Sequence, residues 1–108
     1  MLESYRPGVM DRLGFGYGAA KALTPGLVYC ALTGYGQTGP LRLAAGHDLN
    51  YMASTGALRQ AGTATGAAMA WPPMADCAGA VMSALAILGA LVRRGRDGQG
   101  AFLDVAMS

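Results

Sequence analysis

The chain has 108 residues, enough for one small domain with a hydrophobic core but too few for a typical two-domain enzyme. Apolar residues make up 53% of it and charged residues only 13%, a composition that excludes intrinsic disorder. The net charge is +2, and the basic residues are scattered apart from Arg93, Arg94 and Arg96, so the charge pattern predicts no nucleic-acid partner.

The first half of the chain predicts short helices around one strand. Residues 9–13 and 18–23 have helical patterns, and Thr24-Pro25-Gly26 is a stop signal after them. The first twelve residues contain charges and a proline instead of the apolar run of a signal peptide. Residues 27–32 are apolar and predict a buried strand, residues 47–54 predict two helical turns, and residues 55–73 predict an irregular loop.

The segment Gly34-Tyr35-Gly36-Gln37-Thr38-Gly39 follows the predicted strand and has the G-x-G-x-x-G spacing of dinucleotide-binding loops. That function requires a helix directly after the third glycine and an acidic residue about 20 positions further on. Pro40 follows the glycine, residues 41–46 have no amphipathic pattern, and no acidic residue lies at 54–56. The segment therefore favours a glycine-rich turn after a strand.

The second half predicts a long helix and a second strand. The helix begins at Asp76 and runs to about Arg94, with basic residues in its last turn and Gly95 or Gly98 as terminators. Its charge-free part, residues 77–92, is shorter than the roughly 20 residues that span a bilayer, which favours a buried helix and no membrane partner. Residues 101–106 predict a strand, and a strand, a long crossover with a helix and another strand indicate an α/β fold with a parallel sheet.

Three ionisable residues, His47, Asp48 and Asp76, lie at loop-to-helix junctions in uncharged surroundings, where acid–base groups are typically found. Structural roles compete with this interpretation. His47 can bond a backbone carbonyl, and Asp48 and Asp76 can each cap a helix. The two cysteines, Cys30 and Cys77, lack metal-ligand spacing, so they predict reduced core residues in a cytoplasmic protein and no metal site.

Several motifs that follow one another along nearly the whole chain resemble those of the family III CoA-transferases (CaiB/BaiF type) and, within them, the α-methylacyl-CoA racemases. They are Tyr5-Arg6-Pro7-Gly8, Thr33 to Pro40, Gly46-His47-Asp48, Ala75-Asp76 at the start of a Gly/Ala-rich helix, Asp97-Gly98-Gln99-Gly100 and Asp104-Val105-Ala106. The resemblance implies a Rossmann-like α/β large domain over which an acyl-CoA thioester binds. It also implies two chains interlocked as a dimer, and no cofactor beyond the CoA moiety of the substrate.

The resemblance implies a role for each candidate residue. His47 and Asp76 match the catalytic pair of the racemases and would flank the α-carbon of a 2-methylacyl thioester, one removing a proton while the other returns one to the opposite face. Free N–H groups at the start of the Asp76 helix would stabilise the enolate. Arg12 matches a contact to CoA phosphates, Tyr51 lies in the CoA or thioester pocket, and Asp48 supports His47 or contacts the pantetheine arm.

Two alternatives to a racemase remain open. In a CoA-transferase of the same family, the aspartate matching Asp76 attacks the thioester and forms an acyl anhydride. Alternatively, residues 1–108 form a partial large domain that self-associates without catalysis, because the resemblance implies further units before Tyr5 and a small domain after the second strand. The presence of His47 favours the racemase, since the two-base mechanism needs the Gly-His-Asp motif.

Overall fold

The computed structural model describes residues 1–63, 65–66 and 71–108. In chain order the described elements are β1 (Leu2–Glu3), α1 (Val9–Arg12), α2 (Tyr17–Leu23), β2 (Val28–Thr33), α3 (Asp48–Ser54), α4 (Ala57–Gln60), α5 (Met74–Asp97) and β3 (Ala101–Ala106). The predicted α/β class is confirmed. The predicted loop over residues 55–73 is wrong where α4 forms, and part of it, residues 64 and 67–70, lies outside the described residues.

The strands form a parallel sheet in the order β1-β2-β3. The central strand β2 pairs with β3 over its whole length, from Val28 opposite Ala101 to Thr33 opposite Ala106. A central strand of a parallel sheet is covered on both faces, which explains why its sequence is a continuous apolar run without polar alternation. The edge strand β1 pairs through only two residues, Leu2 and Glu3, and such a short strand carries no periodicity that a sequence pattern can reveal.

The two faces of the sheet are covered by different elements. On one face α5 packs against β2 and β3 through a cluster of Val28, Ala90 and Ala101, with Ile87 and Leu103 against it. On the other face the rings of Tyr17, Tyr29 and Phe102 pack together, with centroids between 5.1 and 5.8 Å apart. Successive side chains of a strand point to opposite faces of the sheet. Because Val28 faces α5 and Tyr29 faces the other side, the odd-numbered side chains of β2, including Thr33, lie on the face away from α5.

Helix α5 begins and ends outside its predicted bounds of 76–94. Its N-cap is Pro73, so the prediction that Asp76 caps the helix is wrong, and Asp76 lies in the first turn instead. Its C-cap is Gly98, whose φ of 71° is the left-handed conformation that glycine adopts easily. The Gly98 N–H donates a hydrogen bond to the Arg94 carbonyl and so extends the hydrogen-bonded end of the helix beyond the arginine.

Helix α5 is buried along one narrow face, so the prediction of a buried helix is only partly right. The buried positions carry small residues, namely Ala75, Gly79, Ser83 and Ala90. At Gly79 an added Cβ would lie 2.8 Å from Met107 Cγ and 3.2 Å from Leu32 Cδ1, which shows how closely the helix approaches the sheet. Large apolar side chains occupy the opposite side and are exposed: Val81, Met82, Leu85, Leu88 and Val92. Cys77 is also exposed, contrary to the prediction of a core cysteine, whereas Cys30 is buried.

In the part of the chain that the structure describes, one helix, α5, has the length and hydropathy to cross a membrane. This is weak support for a membrane span, because a helix that packs in a protein interior passes the same test. Here the small residues of α5 pack on β2 and β3.

We expect the protein to lose stability at alkaline pH. Burial raises the pKa of the Tyr29 phenol above its ordinary 10.0, and the nearby carboxylates of Glu3 and Asp11 add to the rise. Burial also raises the pKa of the Cys30 thiol above 9.0. Because both groups hold their protons more tightly in the folded chain, their contribution is complete below about pH 9 and is lost as the pH rises through the raised values. Urea unfolding at about pH 7 and about pH 10.5 measures the effect, and an equal free energy of unfolding at both would contradict it.

Candidate active site

A cleft of about 240 Å³ lies at the carboxyl ends of the three parallel strands. Ligands of open α/β sheets bind at this edge, because the strand-to-helix loops meet there. The segments that follow β1, β2 and β3 all contribute to its walls, together with the loop that leads to α3. The lining residues described are Ser4, Tyr5, Arg6, Pro7, Thr33, Gly34, Tyr35, Arg42, Ala44, Ala45, Gly46, His47, Tyr51 and Met107.

Tyr51, on α3, lines the floor of the cleft and contacts the residues around it. Its hydroxyl donates a hydrogen bond to the Gly46 carbonyl, and its ring packs edge-on against Tyr35 at a centroid distance of 5.2 Å. A Cβ at Gly34 or Gly46 would lie 2.5 or 2.6 Å from a ring carbon, so both positions exclude any side chain. Burial raises the pKa of the Tyr51 phenol, Tyr35 and Asp76 add to the rise, and Arg6 opposes it.

The glycine-rich segment after β2 is a turn, as the sequence predicts. Gly36 and Gly39 have φ values of 79° and 85°, and the chain forms turns through residues 39–43 before α3 begins at Asp48. The Gln37 N–H donates to both carboxylate oxygens of Asp104 on β3, at 3.2 and 3.1 Å. The segment is therefore a loop that is hydrogen-bonded to the neighbouring strand. It does not lead directly into a helix whose N-terminus could bind a pyrophosphate.

His47 is the N-cap residue of α3 and lines the cleft with an exposed side chain. Its backbone N–H donates to the Asn50 side-chain oxygen at 2.9 Å, which fixes the chain where the helix begins. Asp48 is therefore the first helical residue and does not cap α3.

The Asp48 carboxylate connects α3 to α5. One of its oxygens accepts hydrogen bonds from the N–H groups of Ala75 and Asp76, at 2.6 and 3.1 Å. An anion at this position satisfies otherwise unpaired donors and interacts favourably with the positive end of the helix dipole. These two N–H groups are consequently occupied, so the prediction that they are free to stabilise an enolate is wrong.

The same contact places the start of α3 beside the first turn of α5. His47 directly precedes Asp48 in the chain, and Asp76 is one of the two residues that Asp48 binds. The Asp76 side chain is exposed at this junction.

Arg12 lies elsewhere. It is exposed on α1 and is not among the described residues that line the cleft. Two other arginines, Arg6 and Arg42, do line it, although the sequence analysis assigned neither to a site.

We expect Asp48→Ala to destabilise the junction between α3 and α5. The variant leaves two helix N–H groups without their acceptor, which costs about 1–3 kcal/mol of unfolding free energy. Asp48→Asn keeps an acceptor oxygen without the charge and should cost less. Asp97→Ala is the control for a carboxylate in solvent, because Asp97 is exposed, pairs with Arg93 at 3.8 Å and accepts the exposed Gln99 N–H at 2.8 Å; it should cost no more than about 1 kcal/mol. Chemical denaturation measures all three, and equal losses for Asp48→Ala and Asp97→Ala would contradict the assignment.

Comparison with known proteins decides the family. The sequence profile of CoA-transferase family III matches residues 1–108. The chain belongs to CoA-transferase family III. The resemblance seen in its motifs is thus confirmed.

Relatives within family III include enzymes with different reactions. Alpha-methylacyl-CoA racemase from Homo sapiens is 39% identical over 111 residues, which cover 99% of this chain and 28% of that protein. Acetyl-CoA:oxalate CoA-transferase from Acetobacter aceti is 38% identical over 114 residues, 99% of this chain and 28% of that protein. A crystal structure of a CaiB/BaiF family protein from Brucella suis superposes with a TM-score of 0.92 at 33% identity, over 98% of this chain and 28% of that one.

Two consequences follow from these similarities. The chain spans little more than a quarter of the length of these relatives. Racemase and transferase relatives are almost equally similar to it, so identity alone does not select the reaction.

Proposed function

We propose that this family III chain carries the acid–base centre of an acyl-CoA racemase or epimerase that interconverts 2-methylacyl-CoA epimers. The observation that supports this most directly is the Asp48 carboxylate, which joins the residue after His47 to the N–H of Asp76. His47 lines the cleft at the carboxyl edge of the parallel sheet, and Asp76, whose N–H binds Asp48, lies in the first turn of α5; both side chains are exposed. Inversion at carbon needs two such groups, because a proton must leave one face and another must arrive on the opposite face.

In the proposed reaction one member of the pair takes the α-proton and the electrons of the C–H bond move into the thioester carbonyl, forming an enolate. The other member then donates a proton to the opposite face, and the carbonyl forms again. The enolate oxygen needs a hydrogen-bond donor. Because Asp48 occupies the Ala75 and Asp76 N–H groups, that donor must lie elsewhere on the walls of the cleft.

The remaining predicted residues have supporting roles in this proposal. Tyr51 lines the cleft and contacts the thioester end of the substrate, whereas Arg12, outside the cleft, holds CoA phosphates. Asp48 positions His47 relative to Asp76 through its bonds to α5. We further propose a cytoplasmic, dimeric protein that requires no cofactor beyond the CoA of its substrate, and residues 1–108 as the central part of a large domain.

CoA transfer is the second candidate. The Asp76 side chain is exposed and forms no hydrogen bond or ion pair with the residues that the structure describes, which leaves its carboxylate available as a nucleophile. In that reaction an Asp76 oxygen attacks the thioester carbon, the carbon–sulfur bond breaks, and CoA leaves as the thiolate. The thiolate then attacks the aspartyl carbonyl of the anhydride, which releases the donor acid as a carboxylate and leaves an aspartyl-CoA thioester. The acceptor carboxylate attacks this thioester to form a new anhydride and release the thiolate, which attacks the acceptor's carbonyl, so that the acceptor leaves as its CoA thioester and the Asp76 carboxylate is regenerated.

The third candidate is a self-associating domain without catalysis. The exposed apolar side of α5, formed by Val81, Met82, Leu85, Leu88 and Val92, favours association with another surface. Molecular mass from size-exclusion chromatography with light scattering detects such association.

Proton exchange in deuterated water tests the proposal. The purified chain is incubated with a single epimer of a 2-methylacyl-CoA, and chirality and α-deuterium content are followed by chiral chromatography and mass spectrometry. Loss of chirality together with deuterium uptake is the expected result. Transfer of CoA to an added carboxylate, with release of the free 2-methyl acid and without exchange, would establish the second candidate. A folded chain that does neither would leave the third.

A further inference from the structure

His47 follows an exposed loop. Residues 38–45 are all exposed, and so is the His47 side chain itself, so burial does not fix its position. Exposed loops of this kind have few contacts that resist local opening. A catalytic side chain must nevertheless be held within a fraction of an ångström of its working position. The placement of the imidazole therefore depends on what holds the backbone at residues 46 and 47.

Tyr51 binds the backbone on both sides of the His47 α-carbon. Its hydroxyl donates a hydrogen bond to the Gly46 carbonyl, and its N–H donates to the His47 carbonyl at 3.3 Å. The His47 N–H is held separately, by the Asn50 side chain at 2.9 Å. Of these three bonds, the one from the Tyr51 hydroxyl reaches beyond the N-cap of α3. It is the bond that joins the end of the exposed loop to the helix.

The ring that carries this hydroxyl is itself fixed. Tyr51 is 6% exposed, and its ring lies between Gly34, at the end of β2, and Gly46. A Cβ at Gly34 or Gly46 would lie 2.5 or 2.6 Å from the same ring carbon, Cε1, and Tyr35 packs edge-on against the ring. The ring therefore connects the turn after β2 to the histidine loop, although Gly34 and His47 are 13 positions apart in the sequence.

The Tyr51 hydroxyl has no second proton for the substrate. A phenol donates one hydrogen bond, and here the Gly46 carbonyl accepts it. Burial raises the pKa of this phenol above its ordinary 10.0, so the hydroxyl keeps its proton at neutral pH. What Tyr51 presents to the cleft for substrate contact is the ring.

We propose that Tyr51 is a positioning residue, which fixes the His47 imidazole in the cleft by holding the carbonyls of Gly46 and His47. This inference rests on the proposed function, because it takes His47 as one of the two acid–base groups. Tyr51 transfers no proton in this role and acts only through His47.

Nuclear magnetic resonance of the folded chain tests the positioning without turnover. His47 is the one histidine of the sequence, so its imidazole signals are assigned without ambiguity. In Tyr51→Phe, which keeps the ring and removes the hydroxyl, we expect the imidazole signals to shift or broaden and the His47 amide to exchange at least about tenfold faster. Gly34→Ala, which displaces the ring from a distant position in the sequence, should affect the same signals.

Tyr29→Phe is the matched control. It also removes a buried hydroxyl that donates to a backbone carbonyl, that of Phe15 at 3.4 Å, but Tyr29 lies outside the cleft. It should leave the His47 signals and the His47 amide exchange as they are in the parent chain. Thermal unfolding midpoints show that each variant is folded before its signals are compared.

Steady-state kinetics with a single 2-methylacyl-CoA epimer provide the second readout. Tyr51→Phe should lower kcat by about 10- to 100-fold and leave KM within about twofold, because the substrate contacts remain while the acid–base group is displaced. A raised KM at unchanged kcat would mean that the hydroxyl binds the substrate, and it would overturn the inference. His47 signals and a kcat equal to those of Tyr29→Phe would overturn it as well.

The two readouts separate this inference from the proposed function. If the parent chain catalyses no inversion but Tyr51→Phe still alters the His47 signals, the proposed function fails and the positioning of His47 by Tyr51 stands. If the parent chain inverts its substrate and Tyr51→Phe does so at the same rate, the proposed function stands and the positioning role is wrong.

Discussion

His47→Gln is expected to lower the rate of epimer interconversion by about 10²- to 10⁴-fold, the range that one general acid–base group contributes. The glutamine keeps a polar side chain of similar length at the N-cap of α3 but cannot take up a proton. Because the Asn50 bond is made by the backbone N–H of residue 47, the helix start should remain intact. The same assay in deuterated water measures inversion and exchange separately.

Asp76→Asn should produce the complementary defect, and comparing the two variants distinguishes the mechanisms. In a two-base mechanism, one group removes the α-proton of one epimer and the other group removes that of the opposite epimer. Each variant therefore exchanges the α-proton only of the epimer whose base it retains, and it inverts neither epimer. If Asp76 is instead a nucleophile for CoA transfer, Asp76→Asn abolishes transfer while His47→Gln retains it. Asp97→Asn, the same change at an exposed position, is the control and should behave as the parent chain. Unchanged inversion in His47→Gln would exclude the two-base mechanism.

Gly100→Ala is expected to be the most damaging single substitution for the fold, at about 3 kcal/mol or more of unfolding free energy. A Cβ there would lie 2.3 Å from the Leu27 carbonyl oxygen and 2.7 Å from the Pro25 carbonyl oxygen. These are backbone atoms at the entry to β2, and the Leu27 oxygen also accepts the first hydrogen bond of β3, from the Ala101 N–H. The clash can be relieved only by separating the two strands.

A matched glycine provides the control for this prediction. Gly89 lies within α5, and an added Cβ would meet nothing within 4 Å. Gly89→Ala should therefore stabilise the protein by roughly 0.5–1 kcal/mol, since alanine has the better helix propensity. Urea denaturation of both variants decides the matter. Similar changes in the two would mean that the close approach at Gly100 does not determine its effect.

The sequence predicted the sheet well because its signals are local. Each of the two longer strands is a short, mostly apolar run. A crossover that contains a helix is the usual connection between parallel strands. The register from Val28–Ala101 to Thr33–Ala106 confirms the parallel pairing. The burial of α5 was less predictable. Its central part, residues 77–92, carries no charge, and only the positions of its small residues, such as Gly79 and Ser83, indicate which side faces the sheet.

The candidate site was predicted through family resemblance, not through local pattern. The resemblance pointed to His47 and Asp76, and their roles in catalysis remain predictions. The contact between Asp48 and the start of α5 could not be found from spacing, because Asp48 and Ala75 are 27 positions apart in the sequence. The sequence does not indicate that Arg6 and Arg42 line the cleft, since an arginine in a polar loop has the same sequence signal whether it faces solvent or a cleft.

Gly79 gives this arrangement a further property. It follows Asp76 by three residues, within one turn of α5, and the absence of a side chain there lets the helix approach Leu32 and Met107. The distance between the start of α5 and the sheet is therefore set by a residue outside the proposed catalytic pair. Larger residues at position 79 would raise the helix end by increments and move Asp76 relative to His47. The position of the Asp76 carboxylate is thus adjustable from a residue one turn further along α5, which offers a route to changing the geometry of the proposed proton transfer while His47 and Asp76 themselves stay unchanged.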